Sequence, residues 1–91
     1  MPEGRVRATV PAQAASLMNA APADVQAALG APDLQRREGP AIVWLYATAG
    51  GCRVDVVFYP QPDGPRVAHA AARTPPSTRE AACLAMVAAR P

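Results

Sequence analysis

Apolar residues near the start of the chain recur at the spacing of one helical face. From Val10 they fall three or four positions apart, which predicts a short first helix. This helix should end near Asn19, a residue that tolerates the left-handed conformation at a helix end. A second helix is predicted to begin at Pro22, because proline suits the first helical position. Gly30 followed by Pro32 then ends the second helix.

The pattern changes from helical to strand-like after residue 40. The segment AIVWLYA, residues 41–47, is rich in β-branched and aromatic residues, and CRVDVVFY, residues 52–59, alternates apolar and polar positions. RVAHAAAR, residues 66–73, predicts a weaker third strand. The polar run that ends at Gly39 and Pro40 is predicted to be a connection into the sheet. Short links between consecutive strands favour an antiparallel meander with the helices on one face.

Alternation within the strands separates two faces of the predicted sheet. The inner face, toward the helices, should hold the following side chains: Trp44, Tyr46, Cys52, Val54, Val56, Phe58, Ala68, Ala70 and Ala72. The alternative for Trp44 is that it belongs to a binding surface. The opposite face is more apolar than a solvated sheet face, and such patches often mark partner surfaces. Its candidate partner-binding residues are Val43, Leu45, Val57, Tyr59, Val67 and His69.

The C-terminal region predicts one more helix, at about residues 78–90. Ser77-Thr78-Arg79-Glu80 fits a capping box, in which the serine hydroxyl accepts from the backbone of Glu80 and the glutamate reaches back. Arg90 is well placed for the C-terminal end. The predicted fold is therefore α+β, with two N-terminal helices packed on a three-stranded antiparallel meander sheet, plus a C-terminal helix. We expect a loose arm at residues 1–9 and a single domain over residues 10–91.

Composition makes the predicted core small. The chain has 91 residues, enough for one domain, and 51% of them are hydrophobic, but alanine is the commonest among these. A short chain also buries a smaller share of its surface than a longer one. A domain with so little apolar surface to bury often needs a further stabilising link, such as a disulfide bond or a structural metal.

The charge balance argues against nucleic-acid binding, and the lengths of the apolar runs argue against a membrane span. The formal net charge is +2, and all nine basic residues are arginines scattered along the chain, which is too weak a signal for nucleic-acid binding. No apolar run approaches the roughly 20 residues that a membrane span needs. The first ten residues lack the apolar middle of a signal peptide. Either the protein is cytosolic, or an export signal preceded residue 1.

The two cysteines are the first candidates for chemistry. Cys52 opens the predicted middle strand on its inner face, and Cys83 lies in the middle of the last helix. They do not form a CxxC motif, so the choice is between a disulfide and two small buried thiols. We favour the disulfide, because closing this loop would contribute about 3–4 kcal/mol on the chain-entropy model. Such a bond would place the protein in an oxidising compartment, periplasmic or secreted.

No catalytic or metal site is predicted. His69 as a base would need a nucleophile and an orienting carboxylate, but the only serines are Ser16 and Ser77, and Ser77 is expected to be a cap. Asp55 is a possible surface neighbour of His69. Zinc would need more ligands than two cysteines and a histidine on the other face of the sheet. We therefore expect neither an enzyme nor a cofactor.

One stretch of the chain resembles a known family. ADVQAALGAPDLQRREGPAIVWLY, residues 23–46, is similar to the SmpA/OmlA (BamE-like) outer-membrane lipoprotein domain family, within a resemblance that covers about residues 14–73. The matching positions are Val25, Leu29, Gly30, Pro32, Trp44 and Tyr46. The resemblance implies two helices on one face of a three-stranded antiparallel sheet, a fold shared with β-lactamase-inhibitor-like modules. The family's lipobox cysteine has no counterpart in this sequence, and the C-terminal helix is an extension of the family pattern.

The expected function is that of a non-catalytic scaffold or binding module in the cell envelope of a Gram-negative bacterium, periplasmic or associated with the outer membrane. It would dock protein partners through the outer sheet face or an exposed edge strand, and the resemblance implies that these partners are envelope proteins. Membrane association would require a lipid anchor that this chain does not show, and a homo-oligomer is also compatible. One alternative is an inhibitor-like module that binds and blocks a hydrolase. Another is a cytosolic protein with two reduced thiols.

Overall fold

The computed structural model describes residues 9–90 as an α+β fold, as the hydrophobic pattern predicts. One turn of 3₁₀ helix precedes the first α-helix, four strands follow, and a second α-helix ends the described chain. In chain order the elements are the 3₁₀ turn Ala14–Leu17, α1 (Pro22–Leu29), β1 (Leu34–Glu38), β2 (Ala41–Ala47), β3 (Arg53–Tyr59), β4 (Arg66–Arg73) and α2 (Glu80–Ala88). The predicted arm at residues 1–9 lies, apart from Thr9, outside the described residues.

The sheet has four strands rather than the three predicted. They form an antiparallel meander in the order β1-β2-β3-β4. The additional strand is β1, which occupies the polar run that the sequence analysis assigned to a connection. All five of its residues are exposed, so β1 has no buried alternation from which it could be recognised. A row of charged side chains is typical of an edge strand.

A two-residue loop, Gly39-Pro40, joins β1 to β2. Gly39 has φ +60°, and a glycine at the first central position is a signature of a tight hairpin turn. Register pairs Glu38 with Ala41 across this loop. The Gly-Pro dipeptide between two extended segments was therefore the signal that could have revealed β1.

The predicted first helix is wrong, because only the single 3₁₀ turn Ala14–Leu17 forms. Asn19 does adopt a left-handed conformation, with φ +70°. The chain then pairs with β4: the Asn19 N–H donates to the Val67 carbonyl at 2.8 Å, and the Val67 N–H donates to the Ala20 carbonyl at 2.9 Å. These long-range hydrogen bonds hold the connection extended where a longer helix would have continued.

The core lies between the sheet and the helices. The prediction that Trp44, Tyr46, Val56 and Phe58 face the helices is confirmed, because all four belong to the buried cluster. Trp44 is 7% exposed and packs edge-on against Phe58, with 4.7 Å between ring centroids. The helical elements contribute Leu17, Val25, Leu29, Leu84 and Val87 to the same cluster.

A β-bulge in β4 reverses the predicted orientation of its first residues. Val57 pairs with His69, but the next residue, Phe58, pairs with Val67, so Ala68 is the extra residue. A one-residue shift moves a side chain to the other face of a sheet. Val67 therefore points inward and is 3% exposed, in the core, while Ala68 is exposed. The predictions of an outward Val67 and an inward Ala68 are both wrong.

The predicted capping box at the start of α2 does not form. The helix begins at Glu80, its N-cap is Arg79, and no side chain caps it. Ser77 has φ +67° and lies in the loop before the helix. The Glu80 carboxylate instead accepts a hydrogen bond from the backbone N–H of Ala14 at 2.6 Å. A tertiary contact to the 3₁₀ turn has replaced the local motif.

Candidate functional site

The side of the sheet away from the helices is the candidate site, and we call it the outer face. Strand alternation and register place twelve side chains other than alanine on it. The 3₁₀ turn and both α-helices contribute buried residues to the core on the opposite side. These outer-face residues are Leu34, Arg36, Glu38, Val43, Leu45, Arg53, Asp55, Val57, Tyr59, Arg66, His69 and Arg73.

Apolar side chains form the centre of the outer face. Register places Val43 opposite Val57, and Leu45 opposite Leu34. Val43 is buried and Leu45 and Val57 are half-buried, although none of the three is part of the main core cluster. Leu34 and Tyr59 are 49% and 44% exposed. Large apolar side chains therefore reach the solvent on this face.

Five of the six predicted partner-binding residues lie on the outer face, and one does not. Val43, Leu45, Val57, Tyr59 and His69 are brought together there. The sixth is Val67, which the bulge turns into the core.

The register determines which described residues lie beside His69 on the outer face. It lies opposite Val57, whereas Asp55 lies opposite Ala71. The Asp55 carboxylate instead pairs with Arg73, at 3.5 Å. Neither serine belongs to a strand, since Ser16 lies in the 3₁₀ turn and Ser77 in the loop before α2.

One end of the outer face is basic. Arg53 and Arg73 are direct register partners on β3 and β4, and Ala47 lies opposite Arg53 on β2. These arginines were not predicted as site residues, because the basic residues are scattered along the sequence. Strand alternation gives the face of Arg53, but only the register brings Arg73 beside it.

A pocket of about 270 Å³ opens at this end, and we call it the corner pocket. Apolar side chains from β1 and β2 and charged side chains on either side line it. Its lining residues are Asp33, Leu34, Leu45, Tyr46, Ala47, Arg53 and Asp55. A second cavity, of about 350 Å³, lies beside α1 and reaches Thr9, the first described residue.

Arg90 anchors the C-terminal end of α2 beside the corner pocket. Its guanidinium forms an ion pair with Asp33 and donates to the carbonyls of Ala31, at 3.1 Å, and Ala47, at 3.3 Å. It also lies 5.3 Å from the centre of the Tyr46 ring. The Arg90 Nε donates to the Val87 carbonyl at 2.9 Å, which confirms its predicted place at the helix end.

Asp33 is held from two sides. Its carboxylate accepts a hydrogen bond from the Ala47 N–H at 2.8 Å, and this bond, together with the charge of Arg90, lowers the pKa of Asp33 below its ordinary value. The sequence analysis missed this pair, because 57 positions separate its members and no local spacing connects them.

Tyr46 belongs to the same anchor and is not poised for acid–base chemistry. Its hydroxyl donates to the Gly30 carbonyl at 2.8 Å. Burial raises the pKa of Tyr46 to about 12, because the phenolate would lose its hydration. The phenol therefore stays protonated at neutral pH and fixes the end of α1 to β2.

Cys52 and Cys83 lie at disulfide-bonding distance, as predicted. Their Cα atoms are 5.5 Å apart, within the range of about 4.4–6.8 Å that a disulfide requires. Both side chains are buried. The pair connects the start of β3 to the middle of α2.

Residues 9–90 contain no group of three or more histidine, cysteine or acidic side chains that could hold a metal ion. Neither helix in this part of the chain is long and apolar enough to cross a membrane. Comparison with family models, curated proteins and solved structures gives no match. The resemblance to the SmpA/OmlA family accordingly stays a prediction.

Proposed function

We propose that this domain is a non-catalytic binding module of the cell envelope that docks a protein partner on its outer face. The observation that carries the proposal is the apolar surface centred on Val43, Leu45 and Val57, with Leu34 and Tyr59 about half exposed beside it. No described element packs its buried residues against this surface. Contiguous exposed apolar patches on soluble domains mark interaction sites.

The cysteine pair supports the envelope as the compartment. Disulfides persist in oxidising compartments and are rare in the reducing cytosol. Cys52 and Cys83 come from different elements and lie at disulfide-bonding distance in the small core of an alanine-rich chain, where a covalent link adds the stability that burial supplies poorly. The family resemblance suggests the same compartment. Export to that compartment is part of this proposal.

The surroundings of His69 support a binding role over catalysis. A general base needs a nucleophile within hydrogen-bond reach and a group that orients the imidazole. His69 faces Val57, and the nearby Asp55 is engaged with Arg73. The outer face thus offers contact area and charge rather than a reacting group.

Site-specific crosslinking in a Gram-negative bacterium tests the proposal. The full chain is exported behind a signal sequence, with a photo-crosslinking amino acid in place of Tyr59 on the outer face or Gln26 on α1. We expect one discrete protein adduct from position 59 and none from position 26, because only the outer face presents the apolar surface.

A matched pair of surface substitutions gives the control. Leu34→Glu should abolish the adduct at position 59, whereas Met86→Glu should leave it intact. Leu34 and Met86 are equally apolar and similarly exposed, at 49% and 44%, but Met86 lies on α2. Equal adducts from positions 59 and 26, or an adduct that survives Leu34→Glu, would contradict the proposal.

The same experiment separates the inhibitor alternative. If the adduct contains a hydrolase, its activity is titrated with the purified domain. Loss of activity at one equivalent of domain would replace the scaffold function with inhibition. Unchanged activity would keep the scaffold function.

A further inference from the structure

Two arginines face each other at the basic end of the outer face. Arg53 and Arg73 are register partners on neighbouring strands, and like charges in that position destabilise a sheet. Arg73 is partly compensated by Asp55, 3.5 Å away. Among residues 9–90, no carboxylate forms an ion pair with Arg53. The two facing arginines therefore do not stabilise the sheet.

Arg53 also lines the corner pocket, where the other charges are already engaged. Asp33 is bound by Arg90 and by the Ala47 N–H, and Asp55 is paired with Arg73. The remaining lining is mainly apolar, with leucines from β1 and β2. The pocket therefore combines an apolar floor with one guanidinium whose charge is not neutralised within the described residues.

We infer that the corner pocket recognises an apolar side chain next to a carboxylate on the protein partner. This inference rests on the proposed docking function and names the chemistry of the docked segment. The volume of about 270 Å³ is below the range of about 300–1,000 Å³ typical of small-molecule sites, which suits a side chain. Arg53, helped by Arg73, binds the carboxylate, since a guanidinium matches the two carboxylate oxygens.

The same arginines could face an anionic bilayer, but the observations favour a protein segment. Recognition of anionic lipid typically uses clusters of about 4–8 basic residues. The outer face has four arginines, and three of them, Arg36, Arg66 and Arg73, form ion pairs with Glu38, Asp63 and Asp55. Of the four, only Arg53 has no ion pair among residues 9–90, so the uncompensated charge is smaller than lipid recognition requires. The apolar floor of the pocket adds a requirement for an inserted side chain.

Fluorescence anisotropy with two matched peptides tests the inference. The first probe is a fluorescein-labelled nonapeptide in which leucines alternate with glutamates, and the second has lysine in place of each glutamate. We expect the full-length protein to bind the glutamate peptide at least about tenfold more tightly, the difference that one charge-assisted hydrogen bond can supply. The preference should shrink as salt is added.

Substitution of one arginine at a time locates the binding site. Arg53→Gln should weaken binding of the glutamate peptide about tenfold, and Arg53→Lys should weaken it less, because the charge remains. Arg37→Gln is the matched control, since Arg37 is an exposed arginine on the other face of β1 and should change nothing. Circular dichroism and melting curves confirm that each variant is folded.

Three outcomes would overturn the inference: equal binding of the two peptides, equal effects of Arg53→Gln and Arg37→Gln, or binding to phosphatidylglycerol vesicles without binding to the glutamate peptide. If crosslinking at position 59 succeeds while the glutamate peptide fails to bind, the docking function stands and only the acidic chemistry is wrong. If both fail, the docking function is wrong as well.

Discussion

Val56 and Val57 are neighbours in β3, yet the two faces of the sheet treat them differently. Val56 is completely buried in the cluster that the helices cover, whereas Val57 is half-buried among the side chains of adjoining strands. The same contrast separates Trp44 from Leu45 in β2. Apolar residues on the inner face therefore contribute mainly to folding. Those on the outer face, apart from the buried Val43, are less buried, contribute less to folding and can contact a partner.

The largest expected effect comes from the inner face. Trp44→Ala should lower the free energy of unfolding by about 3–5 kcal/mol, the usual cost of deleting a large buried aromatic side chain. Tyr59→Ala on the outer face should cost less than about 1 kcal/mol, in the range of surface substitutions. Urea denaturation of both variants measures the difference. Similar losses in the free energy of unfolding would mean that the two faces contribute equally to stability.

The cysteine pair should have the next largest effect, because it ties α2 to the inner face. Replacing both cysteines with alanine should lower the free energy of unfolding by about 3–4 kcal/mol on the chain-entropy model. Hydrogen exchange should then increase first in α2, whose other buried side chains are only Leu84 and Val87. Equal increases in hydrogen exchange across β3 and α2 would contradict the expectation that α2 unfolds first. Ser77→Ala is the control substitution.

The ion pair of Asp33 with Arg90 predicts how stability depends on pH. Because the pKa of Asp33 is lowered in the folded state, its contribution to stability is fully present above the ordinary value of 3.8 and is lost as the pH falls through the lowered pKa. Asp33→Asn should thus reduce the melting temperature at pH 7 and make little difference in strong acid. Asp63→Asn, in the exposed β3–β4 loop, is the control. A difference that persists at all pH values would indicate that the amide disturbs packing instead.

The smallest expected effect has the opposite sign. Arg53→Thr removes one of two facing arginines and should stabilise the sheet by about 0.2–1 kcal/mol, while weakening binding of the glutamate peptide. Such a trade between stability and function is common at binding sites. Arg37→Thr should leave both properties unchanged. If Arg53→Thr destabilises the protein, Arg53 contributes to stability. Its position opposite Arg73 would then be no evidence for a binding role.

The parts of the fold that sequence could predict are those in which one face of an element is buried. β2 is rich in β-branched and aromatic residues, β3 alternates apolar and polar positions, and Gly30 and Pro32 follow α1. These elements and the inward set around Trp44 therefore follow from local pattern. The same reasoning brought Cys52 and Cys83 together, because each lies on the buried side of its element. Burial leaves a periodic trace in the sequence.

The parts that could not be predicted depend on contacts between distant segments. β1 is exposed along its length, so it shows no hydrophobic periodicity, and only the Gly39-Pro40 turn could have indicated it. The bulge at Ala68 is visible only in the register with β3. Glu80 binds the backbone of Ala14 instead of completing its own capping box. For the outer face, the apolar residues could be predicted but the facing arginines could not, because their proximity depends on strand register.

The two edges of the sheet also differ in what could be added to them. At the β4 edge, the backbone of Val67 is already paired with Asn19 and Ala20, whereas the described chain leaves β1 as a terminal strand. Open-ended polymerisation by strand addition requires two available edges on each molecule, so that every new subunit offers a fresh one. The short connection between the 3₁₀ turn and α1 occupies the β4 edge at Val67, so strand addition meets a local obstruction there that β1 does not present.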